Sequence, residues 1–205
     1  MSTPELDAML VKNLADLDSS VKHLDRIETE VHKTMDQVAE TWAEEHEWKG
    51  EYAYKEVGLW VAPSDWQAHE VEEDEHPYFS IQVGAGDTEA YVKDDEDFFY
   101  LTRLCGLGFG QLGFVFEPVI LKTSKFKKIL KDIGPLLEGT GFAVDADYRI
   151  FLPFKLDVAA LSEAIKEEDI ESAFGPFKAA LEQLKSAKPA FDKIIEKIKK
   201  AETAA

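Results

Sequence analysis

Four glycines lie within eight residues in the stretch LCGLGFGQLGF (104–114). Gly108 to Gly113 match G-x-G-x-x-G, a pattern that holds a dinucleotide pyrophosphate against main-chain amides. That chemistry needs a strand before the glycines and a helix that begins at the last of them, because a helix N-terminus attracts phosphate charge. The segments on either side of the glycines therefore decide whether the match has meaning.

Both flanking segments are typical of strands. FFYLTRL (98–104) precedes the glycines, and GFVFEPVI (113–120) follows with aromatic and β-branched residues. A P-loop is excluded as well, since Phe114 and Val115 stand where Lys and then Ser or Thr would follow Gly113. We predict no cofactor. The glycines instead indicate a tight, bulged turn or a close approach of backbone under aromatic rings, and a ligand or peptide lying against this backbone is the alternative.

Acidic residues are concentrated in a second segment, residues 68–99, which holds eleven of them and a single Lys. Its two acidic runs are HEVEEDEH (69–76) and DDED (94–97). Neither run has the alternating oxygen ligands and central Gly of a calcium loop, so we predict no metal. A solvated loop is the favoured interpretation, and a protein-binding or DNA-mimicking surface is the alternative. The candidate partner-binding carboxylates are Glu72, Glu73, Asp74, Glu75, Asp94, Asp95 and Asp97.

The net charge of −18 comes from the first part of the chain. Residues 122–205 hold 15 basic and 14 acidic residues, whereas residues 1–121 hold 8 basic and 27 acidic residues. Such a field repels nucleic acid, whose phosphates need clustered Lys and Arg, so we expect no direct nucleic-acid binding. A basic protein partner would be attracted, although acidity that only maintains solubility remains the simpler interpretation.

Catalytic groups are sparse. His32 and His46 share a helix face but lie about 21 Å apart, too far for one metal or one proton relay. Cys105 is the only cysteine, so it forms no internal disulfide, and it is typical of a small buried hydrophobic residue. We predict no catalytic residue. A metal-dependent hydrolase or nuclease remains an alternative, and it requires scattered carboxylates to converge in a cleft: Asp65, Glu70, Asp87 and Glu117.

Aromatic residues cluster at the predicted junction between the N-terminal helix and the sheet. They are Trp48, Tyr52, Tyr54, Trp60 and Trp66. One interpretation is that these rings fill the core between helix and sheet. The other is an aromatic groove that binds a partner, since Trp and Tyr provide anchors at interfaces.

The N-terminal segment has a heptad pattern that predicts a helix of more than 40 residues, ending near Trp48 with Gly50 as its stop. Apolar residues recur every seven positions, and a second series completes the a/d pattern with one polar interruption at Glu28, where Ile27 could take over the contact. The first series is Leu10, Leu17, Leu24, Val31 and Val38, and the second is Leu14, Val21, Glu28, Met35 and Trp42.

The C-terminal segment repeats the seven-residue spacing from Ile170 to Ile198. Gly175-Pro176 and Pro189 should interrupt it, because proline lacks an amide donor and clashes with the preceding turn. We therefore predict helices over about 157–167, 169–187 and 190–202. The two heptad-bearing ends can pack against each other within one chain or pair between two copies, and the pattern alone allows both.

The middle of the chain alternates with a period of two, which predicts strands separated by Gly, Pro, Ser and Asp turns. A helix with Gly139 as its stop interrupts them over 124–139. The predicted strands are 51–62, 78–84, 98–104, 112–118 and 148–154. Consecutive strands with short turns favour an antiparallel sheet of about four to six strands, and hence an α+β fold.

The parts combine into one integrated fold. Residues 1–50 form the long helix, 51–155 the antiparallel sheet with one inserted helix, and 156–205 the C-terminal helices packed on the N-terminal one. No apolar stretch is long enough to span a membrane, and the first residues do not have the pattern of a signal peptide, so we expect a cytoplasmic protein. The predicted function is non-enzymatic protein–protein interaction as a homo-oligomer. An inhibitor or immunity-type nucleic-acid mimic with a basic partner is the alternative, beside the hydrolase.

Overall fold

The computed structural model of the protein describes residues 3–66, 76–84, 100–108, 110–118 and 123–203. The N-terminal heptads form two helices, α1 (Pro4–Lys12) and α2 (Leu14–Glu45). The prediction of one continuous helix is therefore wrong at Asn13, whose φ of −107° and ψ of 22° leave the helical region. Main-chain hydrogen bonds still reach both sides of this residue, from Asn13 N to Met9 O (3.2 Å) and from Leu17 N to Asn13 O (3.0 Å).

Six strands form one antiparallel sheet, which confirms the predicted α+β class. Their order across the sheet is β1-β2-β3-β4-β6-β5. The strands are β1 (Trp48–Ala53), β2 (Gly58–Pro63), β3 (Tyr78–Gly84), β4 (Gln111–Glu117), β5 (Ala143–Val144) and β6 (Ile150–Pro153).

The predicted strand 51–62 is in fact a hairpin. β1 and β2 pair in antiparallel register from Trp48 opposite Pro63 to Ala53 opposite Gly58, with a turn over residues 54–57. Gly58 has a φ of 106°, a conformation that glycine adopts without a steric penalty. Gly50, predicted as a helix stop, lies inside β1, since α2 already ends at Glu45.

The predicted strand 98–104 is also wrong within the described residues, because Tyr100–Leu104 forms a short helix, α3. Its start is fixed from outside: the amide of Leu101 donates to Glu28 Oε2 of α2 over 3.3 Å. Its end is held by Leu156, whose amide donates to Leu104 O. Tertiary contacts therefore override the strand preference of this aromatic and β-branched stretch.

The remaining helices are α4 (Thr123–Leu137), α5 (Val158–Lys166) and α6 (Gly175–Thr203), with a 3₁₀ turn over Ile170–Phe174 before α6. The predicted break at Pro189 is wrong, since α6 continues through it. A proline inside a helix costs about 3 kcal/mol. Buried residues on both sides of it, Leu184 and Phe191 among them, offset this cost by packing into the core.

The main core lies between one face of the sheet and the helices. Phe79 and Phe116 of the central strands contact Phe191 of α6, with ring centroids 4.9 and 4.8 Å apart. The C-terminal half of α2 packs into the same core beside β1, the 3₁₀ turn and α6. The N- and C-terminal heptad segments thus meet within one chain, but only over this half of α2.

Candidate interaction surfaces

Four of the five predicted aromatic residues pack at the helix–sheet junction. Trp48 is buried, with its ring 5.0 Å from that of Trp42 and 6.1 Å from that of Phe79. Trp66 lies 5.5 Å from Phe79, and its Nε1 donates to Asp192 Oδ1 over 2.7 Å. Tyr52 and Tyr54 are partly buried against the same core. These contacts account for the four rings as links between α2, the sheet and α6.

Trp60 lies apart from these four rings, on the opposite face of the sheet. It is half-buried between His76 and Tyr78, whose rings lie 5.5 and 5.6 Å away. The predicted acidic partner-binding residues all lie outside the described residues, namely Glu72, Glu73, Asp74, Glu75, Asp94, Asp95 and Asp97.

The glycine-rich stretch runs from the end of helix α3 into strand β4. A helix therefore precedes the glycines and a strand follows, which is the reverse of the order in a dinucleotide site. The predicted close approach under an aromatic ring is confirmed at Gly113, where a Cβ atom would lie 2.5 Å from the ring of Phe151 and 2.3 Å from Leu152 O. Gly84 faces the same ring, at 2.6 Å. These two glycines make room for Phe151 on the face of the sheet opposite the helices.

A cavity of about 630 Å³ adjoins this stretch. The residues that line it include Gly106, Gly110, Phe151 and Phe154, with Arg103 as a basic residue. The size would admit a small organic molecule. The position of the cavity was not predicted, but the density of glycine in the sequence pointed to exposed backbone there.

A buried polar cluster, which the sequence did not reveal, joins α2 to the β1–β2 turn. The amide of Tyr54 donates to Asp36 Oδ1 over 3.1 Å. The pKa of Asp36 is raised to about 6, mainly by burial. The hydrogen bond from the Tyr54 amide lowers this pKa, and the nearby negative charge of Glu56 raises it. His32 lies one turn earlier with its ring against Tyr54 and Tyr100, and burial lowers its pKa.

A second polar contact joins α2 to α6. Trp42 Nε1 donates to Glu182 Oε1 over 2.7 Å, and His46 Nε2 lies 3.5 Å from the same oxygen. The His46 ring stacks on that of Trp42 with centroids 4.9 Å apart. An open groove of about 390 Å³ runs beside them. This contact fixes the C-terminal half of α2 against α6.

The carboxylates required by the hydrolase hypothesis do not form a described cleft. Asp65 pairs with Lys188 at 2.9 Å, and Glu117 accepts a hydrogen bond from Gln82. Glu70 and Asp87 lie outside the described residues. Across the described parts of the chain, no three His, Cys, Asp or Glu side chains converge as metal ligands would. Burial raises the pKa of Cys105, which disfavours the thiolate form that a nucleophile needs.

The N-terminal half of the heptad pattern is exposed, in contrast to the C-terminal half. We call residues 4–26, which comprise α1 and the first part of α2, the arm, and the other described residues from 27 onward the body. No side chain of the arm is buried, and only Leu17 and Leu24 are partly so. The large apolar side chains that remain exposed there are Leu6, Met9, Leu10, Val11, Leu14 and Val21.

The boundary between arm and body coincides with the polar interruption of the heptads. Glu28 stands at an a position, and there it accepts the hydrogen bond from the amide of Leu101. Ile27 packs against the core beside it, as the sequence suggested. From Val31 onward the a and d residues are buried. The arm therefore extends over 23 residues, about 34 Å of helix at 1.5 Å per residue.

No family model matches the chain, and searches of curated proteins and of solved structures find no similar protein. Within the residues that the structure describes, no helix combines the length and the apolar character that a membrane crossing requires.

Proposed function

We propose that this chain is a non-enzymatic protein–protein interaction protein that forms a homo-oligomer through its arm. The observation that carries the proposal is the apolar seam of the arm, which consists of its a and d residues from Leu10 to Leu24. Leu14 and Val21 of this seam are 64% and 41% exposed. The proposal includes a cytoplasmic location, in agreement with a chain whose single cysteine forms no internal disulfide.

A helical arm of this kind needs a partner for its own stability. Short isolated helices are marginal in water, and most helical stability in proteins comes from packing an apolar face. The arm has few stabilising contacts of its own: the Thr3 cap and exposed ion pairs such as Lys22–Asp18 at 2.6 Å. Each such pair contributes only about 0.3–0.5 kcal/mol. Covering the apolar seam would contribute far more.

The charge of the arm favours a second copy as the partner. The whole chain carries −18, but the arm holds five acidic and three basic residues, a net charge of −2. Two arms can therefore approach without the repulsion that two acidic bodies would experience. From residue 10 to residue 24 the a and d positions of the arm hold only Leu and Val, so two copies present the same apolar seam to each other.

Gel filtration with light scattering tests the proposal. The seam variant Leu14→Asp/Leu17→Asp places two charges in the interface of each chain. Its control, Ala15→Asp/Ser19→Asp, adds the same charges outside the a and d positions. We expect the control and the unmodified chain to form the oligomer. In the seam variant, the dissociation constant should rise by about 100-fold or more, because the buried charges lose hydration.

The tryptophan fluorescence of the body provides the folding control, since all four tryptophans lie outside the arm. Both variants should unfold at the same urea concentration as the unmodified chain when all three are monomeric at high dilution. Equal masses for the seam variant and its control at all concentrations, with the body folded in both, would contradict the proposal.

A further inference from the structure

The body lies on the same side of α2 as the apolar seam of the arm. Val31, Met35, Val38 and Trp42 continue the a and d series of the arm, and all four are buried in the core of their own chain. Trp42 also bonds to Glu182 of α6. Because an a/d series follows one face of a helix, a partner helix would lie along this face. Beside the arm that space is open, whereas beside Val31 to Trp42 the body fills it.

This placement restricts how two arms can pair, and the restriction rests on the proposed self-association. Paired helices lie 8–10 Å apart. In a parallel, in-register pair, residues 31–45 of each copy would run beside the same residues of the other copy. The sheet and α6 of each body already cover that face of α2. The two bodies would therefore collide.

We infer that the arms of two copies pair in antiparallel orientation. The body of each copy then lies beyond the N-terminal end of its partner's arm. The two bodies are at opposite ends of the pair and do not collide. Leu14 of one copy packs against Leu17 of the other, and Leu10 packs against Val21 in the adjacent layers. The partner arm thus covers Leu10 to Val21 just as the body covers Val31 to Trp42.

The orientation is measurable with spin labels at exposed positions that leave the seam intact. The label is attached to cysteine in a Cys105→Ala background, which removes the only native thiol. Lys33→Cys and Ser19→Cys are the two labelling variants, and both positions are exposed. With the two-fold axis between Leu14 and Leu17, a rise of 1.5 Å per residue places the two Lys33 positions about 50 Å apart. The two Ser19 positions, close to the axis, should lie about 20 Å apart.

Pulsed dipolar spectroscopy then separates failure of the inference from failure of the proposed function. A long distance for Lys33→Cys with a short one for Ser19→Cys is the expected result. Similar short distances at both positions would contradict the antiparallel orientation and leave self-association intact. A chain that shows no dipolar coupling at either position and sediments as a monomer would contradict both.

Discussion

Leu14 and Met35 occupy the same heptad position in one helix, three repeats apart, and their surroundings are opposite. Met35 is fully buried in the body, whereas Leu14 is 64% exposed on the arm. A heptad pattern therefore specifies which face of a helix is apolar, but it does not specify which part of the same chain or of another chain packs on that face. In this chain the cover changes at Glu28, from the body on one side to an open seam on the other.

The largest expected effect is the difference in stability between two matched substitutions to alanine, one in the body and one in the arm. Met35→Ala should lower the free energy of unfolding of the body by about 2–5 kcal/mol through the cavity it leaves, while Leu14→Ala should change it by less than about 0.5 kcal/mol. Urea unfolding followed by tryptophan fluorescence, at a dilution where the chain is monomeric, measures both. Similar losses for the two variants would show that the arm packs on its own body.

A smaller difference is expected between polar contacts in the two regions. Glu182→Ala removes the acceptor of Trp42 Nε1 in the body and should cost about 1 kcal/mol, because the indole is buried but borders an open groove. Lys22→Ala breaks the exposed arm pair with Asp18 at 2.6 Å and should cost no more than about 0.5 kcal/mol. The variant Glu182→Gln keeps an acceptor and should retain most of the stability. An Ala variant as stable as the Gln variant would mean that the hydrogen bond contributes nothing.

The smallest expected effect concerns pH. Because the pKa of Asp36 is raised to about 6 in the folded state, its ionised form is penalised there. The folded chain therefore binds a proton that the unfolded chain has released, and this carboxyl makes stability fall as pH rises from about 4 to 6. Asp36→Asn should keep the bond from the Tyr54 amide and stabilise the body at pH 7.5 by about 1 kcal/mol, a value reduced by solvent screening.

His32 also contributes to the pH dependence of stability, and its lowered pKa makes stability rise with pH, opposite to the effect of Asp36. The difference in stability between the unmodified chain and Asp36→Asn separates the contribution of Asp36 from that of His32, because His32 is present in both. That difference should shrink as the pH falls toward 4. Asp16→Asn on the arm is the matched control for loss of one charge. If the benefit of Asp36→Asn stayed constant from pH 4 to 7.5, the raised pKa of Asp36 would be ruled out as its cause.

Much of the fold could be predicted because periodicity reflects local geometry. The predicted strand 78–84 agrees with β3, and the predicted helix 157–167 agrees with α5 to within one residue at each end. The errors fall where tertiary contacts decide. Glu28 holds the start of helix α3 in a stretch with strand preference, and the core keeps α6 helical through Pro189. The β1–β2 turn had a local signal in the sequence, because Gly58 interrupts an otherwise continuous strand pattern. In the structure this glycine has a positive φ.

The candidate site could be predicted only in part. The heptads identified the seam residues of the arm, because their spacing depends on the helix alone. Which heptads remain exposed depends on where the sheet and α6 end against α2, and the apolar spacing alone does not encode that. The one available signal was the acidic Glu28 at an a position, which marks the boundary between arm and body. The aromatic cluster illustrates the same limit, since core packing and partner binding use the same residue types.

Sedimentation velocity of the unmodified 205-residue chain over a wide range of concentration tests the proposed self-association. Pairing of two arms predicts a species of twice the 23.1 kDa chain mass, whose share grows with concentration. This species should be preserved at high salt, because the seam is apolar. A species of 23.1 kDa at every concentration reached would contradict it.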